Sequence, residues 1–329
     1  MKKIIDLATP PITTYPSIAY ILALKWKDKE TIMPWLSDHF IQIVVRPEHA
    51  FTWGDFYDHA DLDNFFSKIF GLPGLGWMRA NKTVAHFDTF TDYVEYLIDN
   101  DYCIEACLDR YYFSFTNSYQ KEHFIHSTLI YGYDKNNKIV YLADFFDYGK
   151  YVVKEASYDE VNKSINNDYM INLYKSEEGS YRFDKELMRR YFEDYLNSED
   201  SFSKFVFSNK QYNKSARFGL AYYDYLIERI LQKEYLDKRM YHLLYDHKVL
   251  MKYRLEYLKE AVLFDVDQLN ALLEKNENLI HMTKNLRSVV IKQTIAYNEA
   301  ADDRIVSKIG ELKRYDAEFV KDVLALYDK

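Results

Sequence analysis

The stretch HFIHSTLIYGYD-KNNK-IVYLAD (residues 123–144) decides the fold of the first half of this chain. Two apolar runs enclose a polar turn, which is the pattern of a β-hairpin. The hairpin carries His126 on its first strand and Asp144 at the end of its second. A histidine that a carboxylate holds and orients can act as a general base, so the sequence predicts a catalytic His126–Asp144 pair.

The strand register sets a condition on this pair. In a simple hairpin that turns at Asn136 and Asn137, Asp144 lies opposite Leu129, and His126 then points to the other face of the sheet. The two side chains can meet only if the loop has an odd length or a β-bulge shifts the register by one residue. Without such a shift, His126 is an ordinary strand histidine and Asp144 is a strand-end residue that caps a turn.

The composition is typical of a globular protein with more than one domain. A chain of 329 residues, 48% of them hydrophobic, is long enough for two domains with a sizeable core. The net charge of −8 is spread along the chain, which argues against the concentrated basic face of a nucleic-acid-binding protein. No apolar run reaches about 18 residues, so we expect no membrane span. The two cysteines, Cys103 and Cys107, exclude a disulfide framework and favour a reducing cytoplasm.

Two regions of different character follow each other along the chain. Residues 1–170 mix short helical patterns with alternating strand patterns, whereas residues 183–329 show helical periodicity with few glycines or prolines. Between them, EEGS (residues 177–180) is the predicted linker. The sequence therefore predicts an α+β fold, with an antiparallel sheet plus helices in domain 1–170 and an all-helical domain at 183–329.

Four further motifs accompany the hairpin, namely DRYY (109–112), YQKEHF (119–124), FGLAYYDYL (218–226) and YHLLYDHK (241–248). With the hairpin they resemble the butirosin biosynthesis protein H family, and the resemblance covers most of the chain. It implies a fold similar to papain-like and bacteriocin-processing cysteine peptidases. Members of that family in antibiotic and peptide assembly pathways transfer an acyl group from a carrier-protein thioester to an amine.

The chain departs from this resemblance at the nucleophile. The family opens its first long helix with a cysteine, roughly as Cys-Gly-Ser-x-Ala, whereas this chain has YPSIA at residues 15–19. Ser17 and Ala19 match the family's serine and alanine, which places Tyr15 on the cysteine. A tyrosine, with a usual pKa of about 10, cannot replace a thiolate. Ser17 is the remaining nucleophile near a helix N-terminus, although a serine there is also an ordinary first-turn residue.

Several side chains form the candidate site. Cys103 and Cys107 are not among them, because we expect both to be buried on one face of a strand, with Glu105 on the opposite face. No metal-ligand spacing and no phosphate-binding loop is present, so we expect no metal and no cofactor. The candidate catalytic residues are His126, Asp144, Ser17 and Tyr15, and the candidate substrate-binding residues are Asp109, Tyr111 and Tyr112.

Two functions are compatible with this site. The first is that of a pseudoenzyme, an accessory protein of peptide or aminoglycoside-type antibiotic biosynthesis that binds an acyl or peptidyl carrier protein, a peptide or a small molecule. The second is an active acyltransferase that uses Ser17 or another nucleophile, with His126 and Asp144, to pass an acyl group from a carrier thioester to an amine. The missing cysteine, and the lack of a glutamine before Ser17 as an oxyanion donor, favour the first function. The retained His126, Asp109 and Asp144 favour the second.

Overall fold

A computed structural model of the chain shows two compact units, Met1–Thr31 with Gly71–Ser180 and Ile32–Phe70 with Tyr181–Lys329. In the part of the chain that the structure describes, no helix is both long and apolar enough to cross a lipid bilayer. The described residues are 1–13, 16–47, 54–56, 72–80, 87–147, 149–165, 171–201, 215–234, 237–297 and 299–328.

Helices and strands alternate in the first half of the chain, and helices dominate the second. In chain order the elements are β1 (Lys2–Ile4), α1 (Pro16–Lys25), α2 (Lys29–Asp38), β2 (Ile43–Val45), β3 (Gly54–Phe56), β4 (Leu75–Ala80), α3 (Phe90–Asp99), β5 (Cys103–Asp109), β6 (Ile125–Asp134), β7 (Ile139–Asp147), β8 (Lys150–Ser157), α4 (Tyr158–Ser164), β9 (Ile171–Ser176), α5 (Lys185–Asn197), β10 (Arg217–Phe218), α6 (Ala221–Leu231), α7 (Lys238–Glu260), α8 (Val266–Ile295) and α9 (Asp302–Leu324).

The first unit is built on one antiparallel sheet with the strand order β4-β9-β5-β6-β7-β8, and β1 pairs with the second half of β6. One face of this sheet packs on α3 and α4 to form a hydrophobic core. Both helices begin with a capping box, which satisfies backbone N–H groups of their first turns. The helix α1 packs on β6 and β9, and its residues 18–23 are at most 2% exposed, as expected for a helix that is apolar all round.

A β-bulge at Tyr131 interrupts the hairpin of β6 and β7. On the side of the bulge nearer the hairpin turn, Gly132 pairs with Tyr141. On the other side, Ile130 pairs with Leu142, so the register shifts by one residue. The carbonyl of the extra residue accepts a hydrogen bond from the Ile5 amide at 2.8 Å. This register, continued along the strands, places Asp144 opposite residue 128 and therefore on the face of the sheet that carries His126. The sequence analysis requires either a loop of odd length or a β-bulge, and the structure contains the bulge.

The second unit contains the helices α5 to α9 and a small antiparallel sheet with the strand order β10-β2-β3. The predicted α+β class is confirmed, with an antiparallel sheet plus helices in the first unit and a helical C-terminal region. The small sheet adds a β-structure to a region that the sequence predicts to be all-helical. It is short because β10 has two residues and β2 and β3 have three each.

The division of the chain differs from the predicted domains 1–170 and 183–329. The described residues 32–47 and 54–56 belong to the second unit, and β9 belongs to the sheet of the first. The helix α7 holds the C-terminal end of α2 and the residue after it, because Arg254 donates hydrogen bonds to the carbonyls of Leu36, Ser37 and His39 at 2.7–3.0 Å. The second unit resumes at Tyr181, directly after the predicted linker at residues 177–180.

Candidate functional site

The carboxylate of Asp144 is the centre of the candidate site in the first unit. Its side chain is fully buried within β7, three residues before the end of that strand, beside β6. Both oxygens are hydrogen-bonded, as buried carboxylates require. Oδ2 contacts Arg110 Nη2 (2.7 Å), Thr128 Oγ1 (2.8 Å) and His126 Nδ1 (3.0 Å), and Oδ1 contacts Tyr20 OH (3.0 Å) and the Phe145 amide (2.6 Å).

Three elements besides β7 supply the side chains that meet Asp144. His126 and Thr128 are two residues apart on β6 and therefore lie on the same face of the sheet. Arg110 begins the 3₁₀ turn that follows β5, and Tyr20 comes from α1. The Tyr20 hydroxyl also lies 2.7 Å from the Ser127 carbonyl, so one hydroxyl links α1 to both strands of the hairpin.

The electrostatics of the cluster keep Asp144 ionised. Burial by itself would raise the pKa of this carboxyl group, but the contact with His126 and the charge of Arg110 outweigh burial and hold its pKa below the usual value. The pKa of Tyr20 is raised well above its usual value, first by burial and then by the nearby Asp144 charge. Tyr20 is therefore a neutral hydrogen-bond donor to an anionic carboxylate.

His126 is the member of the cluster that reaches solvent. Its side chain is 26% exposed, whereas Asp144 is fully buried. The Nδ1 atom faces Asp144, and the other ring nitrogen, Nε2, has no hydrogen-bond partner among the described residues. The structure thus brings together the two predicted residues in the arrangement in which a carboxylate orients an imidazole.

A groove of about 220 Å³ opens beside Arg110. The guanidinium group lies 5.2 Å from the ring centres of both Phe124 and Phe146, in cation–π contact with each. Ser118 and Glu122 add polar atoms to the lining. The groove therefore combines aromatic walls with a few polar groups, which is the usual composition of a small-ligand site.

The residues predicted to bind substrate form a separate cluster next to this groove. Asp109 accepts hydrogen bonds from the amides of Tyr111 and Phe124 at 3.0 and 3.1 Å, and its other oxygen lies 2.6 Å from His123 Nδ1. Tyr111 stacks on His123 with ring centres 4.3 Å apart, and Tyr112 packs edge-on against Tyr111. Most of the hydrogen-bonding capacity of Asp109 is thus used to shape the turn between β5 and β6.

The predicted nucleophile position cannot be compared with this geometry. Tyr15 lies outside the described residues, and so does the side chain of Ser17. The backbone of Ser17 is in the first turn of α1, three residues before Tyr20. The assignment of Tyr15 to the cysteine position and of Ser17 to the nucleophile stays a prediction.

The two cysteines lie outside the His126 cluster. Burial raises the pKa of the Cys103 thiol, and burial with the nearby Glu105 charge raises the pKa of Cys107 to about 11. The expectation that Glu105 faces away from the cysteines is wrong, because residues two apart on a strand share one face. Glu105 accepts hydrogen bonds from Ser127 Oγ (2.5 Å), from Asn172 Nδ2 (3.1 Å) and from the hydroxyl of Tyr174.

Sequence reasoning missed three members of the cluster. Arg110 is the basic residue of the DRYY motif, so a carboxylate partner could have been sought for it once Asp144 was a candidate. Thr128 becomes a candidate only when the bulge is known. Tyr20 gave no signal, because it is one of 32 tyrosines in the chain.

The described part of the chain has no group of three or more His, Cys, Asp or Glu side chains placed to hold a metal ion. No protein-family model matches the chain. A comparison with curated proteins gives no significant match either. The resemblance to the butirosin biosynthesis protein H family therefore stays a prediction that rests on its motifs.

Proposed function

We propose that the first unit is a binding module with a degenerate cysteine-peptidase-like site, which holds an acyl or peptidyl carrier protein, a peptide or a small molecule without covalent chemistry. The observation that carries this proposal is the ion pair between Arg110 and Asp144, whose nitrogen and oxygen lie 2.7 Å apart. In a catalytic triad the carboxylate stabilises the imidazolium that forms during the reaction. Here a guanidinium already compensates the charge of that carboxylate.

The state of the cysteines supports the same proposal. A thiol attacks as a thiolate, and a thiol with a raised pKa is protonated at neutral pH. The pKa values of both Cys103 and Cys107 are raised, and neither thiol lies at a helix N-terminus. Neither cysteine can therefore take the place of the missing nucleophile.

The groove beside Arg110 supports a binding role. Phe124 is 45% exposed and lies in ring contact with His126, with ring centres 5.7 Å apart. An exposed phenyl group beside a half-exposed imidazole offers a ligand both an apolar contact and a hydrogen-bonding atom. The volume of about 220 Å³ suits the end of a ligand or one side chain of a peptide.

Acyl transfer is the alternative function, and the geometry of His126 favours it. The carboxylate of Asp144 holds one ring nitrogen, and the other is without a partner among the described residues. A base in this orientation could activate a hydroxyl group such as that of Ser17. The Ser17 oxygen would attack the thioester carbonyl while its proton passes to His126, and the carrier thiol would leave with that proton, which gives an ester at Ser17. An amine would then attack the ester carbonyl, form the amide and release the Ser17 hydroxyl.

One experiment separates the two functions. The protein is mixed with N-acetylcysteamine thioesters of short aliphatic, aromatic and aminoacyl acids, and with the matching amides, which cannot transfer their acyl group. Binding is followed by ligand-observed NMR, and covalent products by intact mass. The proposed function requires binding of both series without a mass increase.

Variants place the binding at the site. His126→Ala and Phe124→Ala should weaken binding, whereas His281→Ala, which removes an exposed histidine of the helical unit, should leave it unchanged. A mass increase that maps to Ser17 and vanishes in Ser17→Ala would replace the binding proposal with acyl transfer. A lack of binding by every probe, with no adduct, would contradict both.

A further inference from the structure

Three groups surround the Nδ1 atom of His126. The Ser127 carbonyl oxygen lies 2.8 Å from it, Asp144 Oδ2 3.0 Å, and Arg110 Nη2 3.1 Å. The two oxygens can only accept a hydrogen bond, and the guanidinium nitrogen can only donate one. A proton on Nδ1 satisfies both acceptors, while Arg110 Nη2 donates to Asp144 Oδ2 instead. These contacts favour a ring with its proton on Nδ1 and a lone pair on Nε2.

Arg110 also fixes the carboxylate that faces the ring. Its Nη2 atom donates to Asp144 Oδ2 at 2.7 Å, and the same oxygen lies 3.0 Å from His126 Nδ1. From α1, Tyr20 approaches the other oxygen of Asp144 as a neutral hydroxyl. Arg110 therefore holds Asp144 Oδ2 in place as an acceptor for a proton on Nδ1.

We infer that Arg110 is a positioning residue that, by holding Asp144 Oδ2 against Nδ1, keeps the proton of the His126 ring on Nδ1 and leaves Nε2 as a hydrogen-bond acceptor. The inference deepens the proposed function, on which it rests, because it names the chemistry of the ligand atom that meets His126. That atom must carry a proton, as in an amide N–H, an amine or a hydroxyl group. A bare carboxylate or carbonyl oxygen would find no donor on Nε2.

The first test uses the wild-type protein without any ligand. The ¹⁵N chemical shifts of the imidazole rings at pH 7 report which ring nitrogen carries the proton, and the His126→Gln variant identifies the signals of His126. We expect a protonated Nδ1 and an unprotonated Nε2. A proton on Nε2 alone, or on both nitrogens, would overturn the inference, and neither result depends on whether a ligand binds.

The second test compares two variants that each remove one donor from Asp144 Oδ2. Arg110→Met removes a donor and a charge, whereas Thr128→Val removes only a donor. We expect the share of His126 rings with their proton on Nδ1 to fall in Arg110→Met and to stay at the wild-type level in Thr128→Val. Arg110→Lys, which restores the charge, should bring back most of the wild-type spectrum.

Equal spectra in Arg110→Met and Thr128→Val would contradict the positioning role of Arg110. If Arg110→Met does not fold, Arg110→Lys and the wild-type spectrum still decide the question. Ligand binding by a protein whose His126 is protonated on Nε2 would overturn this inference while leaving the binding proposal intact. A His126 ring with its proton on Nδ1, in a protein that binds no probe, would do the reverse.

Discussion

Each compact unit contains one fully buried aspartate with a buried cation, and the two clusters differ in their access to solvent. In the first unit, Asp144 pairs with Arg110, and His126 is the partly exposed member of the cluster. In the second, Asp316 pairs with Lys248 at 2.5 Å, and both side chains are 0% exposed. Tyr195 and Tyr223 complete the Asp316 cluster with hydrogen bonds of 2.6 and 2.7 Å.

The difference separates a structural network from a candidate site. The members of the Asp316 cluster come from α5, α6, α7 and α9, so this carboxylate links four helices, and no ligand can reach it. Even its neighbour His247 is enclosed, since its Nε2 lies 2.7 Å from the Ile41 carbonyl oxygen and burial lowers its pKa well below the usual value. The Asp144 cluster uses the same chemistry but leaves one ring nitrogen available. Only the arrangement around Asp144 can serve binding or catalysis.

The largest expected loss of stability comes from breaking the fully buried ion pair between Lys248 and Asp316. Lys248→Met leaves the charge of Asp316 buried without compensation, so we expect the free energy of unfolding to fall by about 3–5 kcal/mol in urea denaturation followed by circular dichroism. The matched control is Lys313→Met, which breaks a partly exposed pair with Asp224 and should cost less than about 1 kcal/mol. Equal losses would remove the distinction between buried and surface pairs in this unit.

Breaking the ion pair between Arg110 and Asp144 should destabilise the protein less. In Arg110→Met the buried Asp144 keeps Thr128, Tyr20 and His126 as partners, so we expect a loss of about 2–3 kcal/mol in the free energy of unfolding. The same urea titration on Lys248→Met gives the comparison. A loss in Arg110→Met as large as that in Lys248→Met would contradict the difference between the two clusters.

Acid should weaken both clusters. The pKa of Asp144 and that of Asp316 lie below the value of an unfolded aspartate, which is about 3.9. The stabilisation is therefore present above about pH 4 and is lost as the pH falls through the folded-state values, at about 1.4 kcal/mol per unit of pKa difference. Melting temperatures of wild type, Asp144→Asn and Asp316→Asn between pH 7 and 3 check this. The stability gap between wild type and each variant should narrow in acid, and a constant gap would refute the assignment.

The smallest expected effects come from single hydroxyl groups. Tyr20→Phe removes a hydrogen bond to Asp144, and Tyr223→Phe removes one to Asp316, so each should cost about 1 kcal/mol. The control is Tyr151, whose buried hydroxyl has no hydrogen-bond partner among the described residues. Tyr151→Phe should be neutral or slightly stabilising, because it removes an unsatisfied polar atom. A loss as large as that of Tyr20→Phe would show that Tyr151 has a partner.

The sequence predicts the hairpin, but it does not predict that His126 and Asp144 come into contact. The alternation of residues 123–144 predicts two strands and a turn, and it places His126 and Asp144 on neighbouring strands. It leaves open whether their side chains share a face, because a shift of one residue reverses every side chain on a strand. The bulge at Tyr131 decides this. The residue directly after β1 binds it, because the Ile5 amide donates a hydrogen bond to the Tyr131 carbonyl. That contact joins residues far apart in the chain and has no local signal.

Local sequence patterns also could not predict the division of the chain into its two units. The short helical and strand patterns of residues 32–47 resemble those of the first unit in composition. They fold with the C-terminal helices because Arg254 and His247 of α7 hold the carbonyl groups of residues 36–41. A buried arginine is unusual in a helix, but the sequence does not identify the carbonyl groups to which it donates.

The sequence by itself determined the α+β class, the hairpin, the helical C-terminal region and the His126–Asp144 candidates, because these depend on periodicities of two and 3.6 residues and on turn residues. Only the tertiary structure decided that the pair meets, that Arg110 and Tyr20 complete it, and that residues 32–47 join the second unit. The physical reason is that bulges, ion pairs and capped carbonyl groups are contacts between segments about 20 to 220 positions apart. Hydrophobic patterning records which face of a segment is buried, but not which partner covers it.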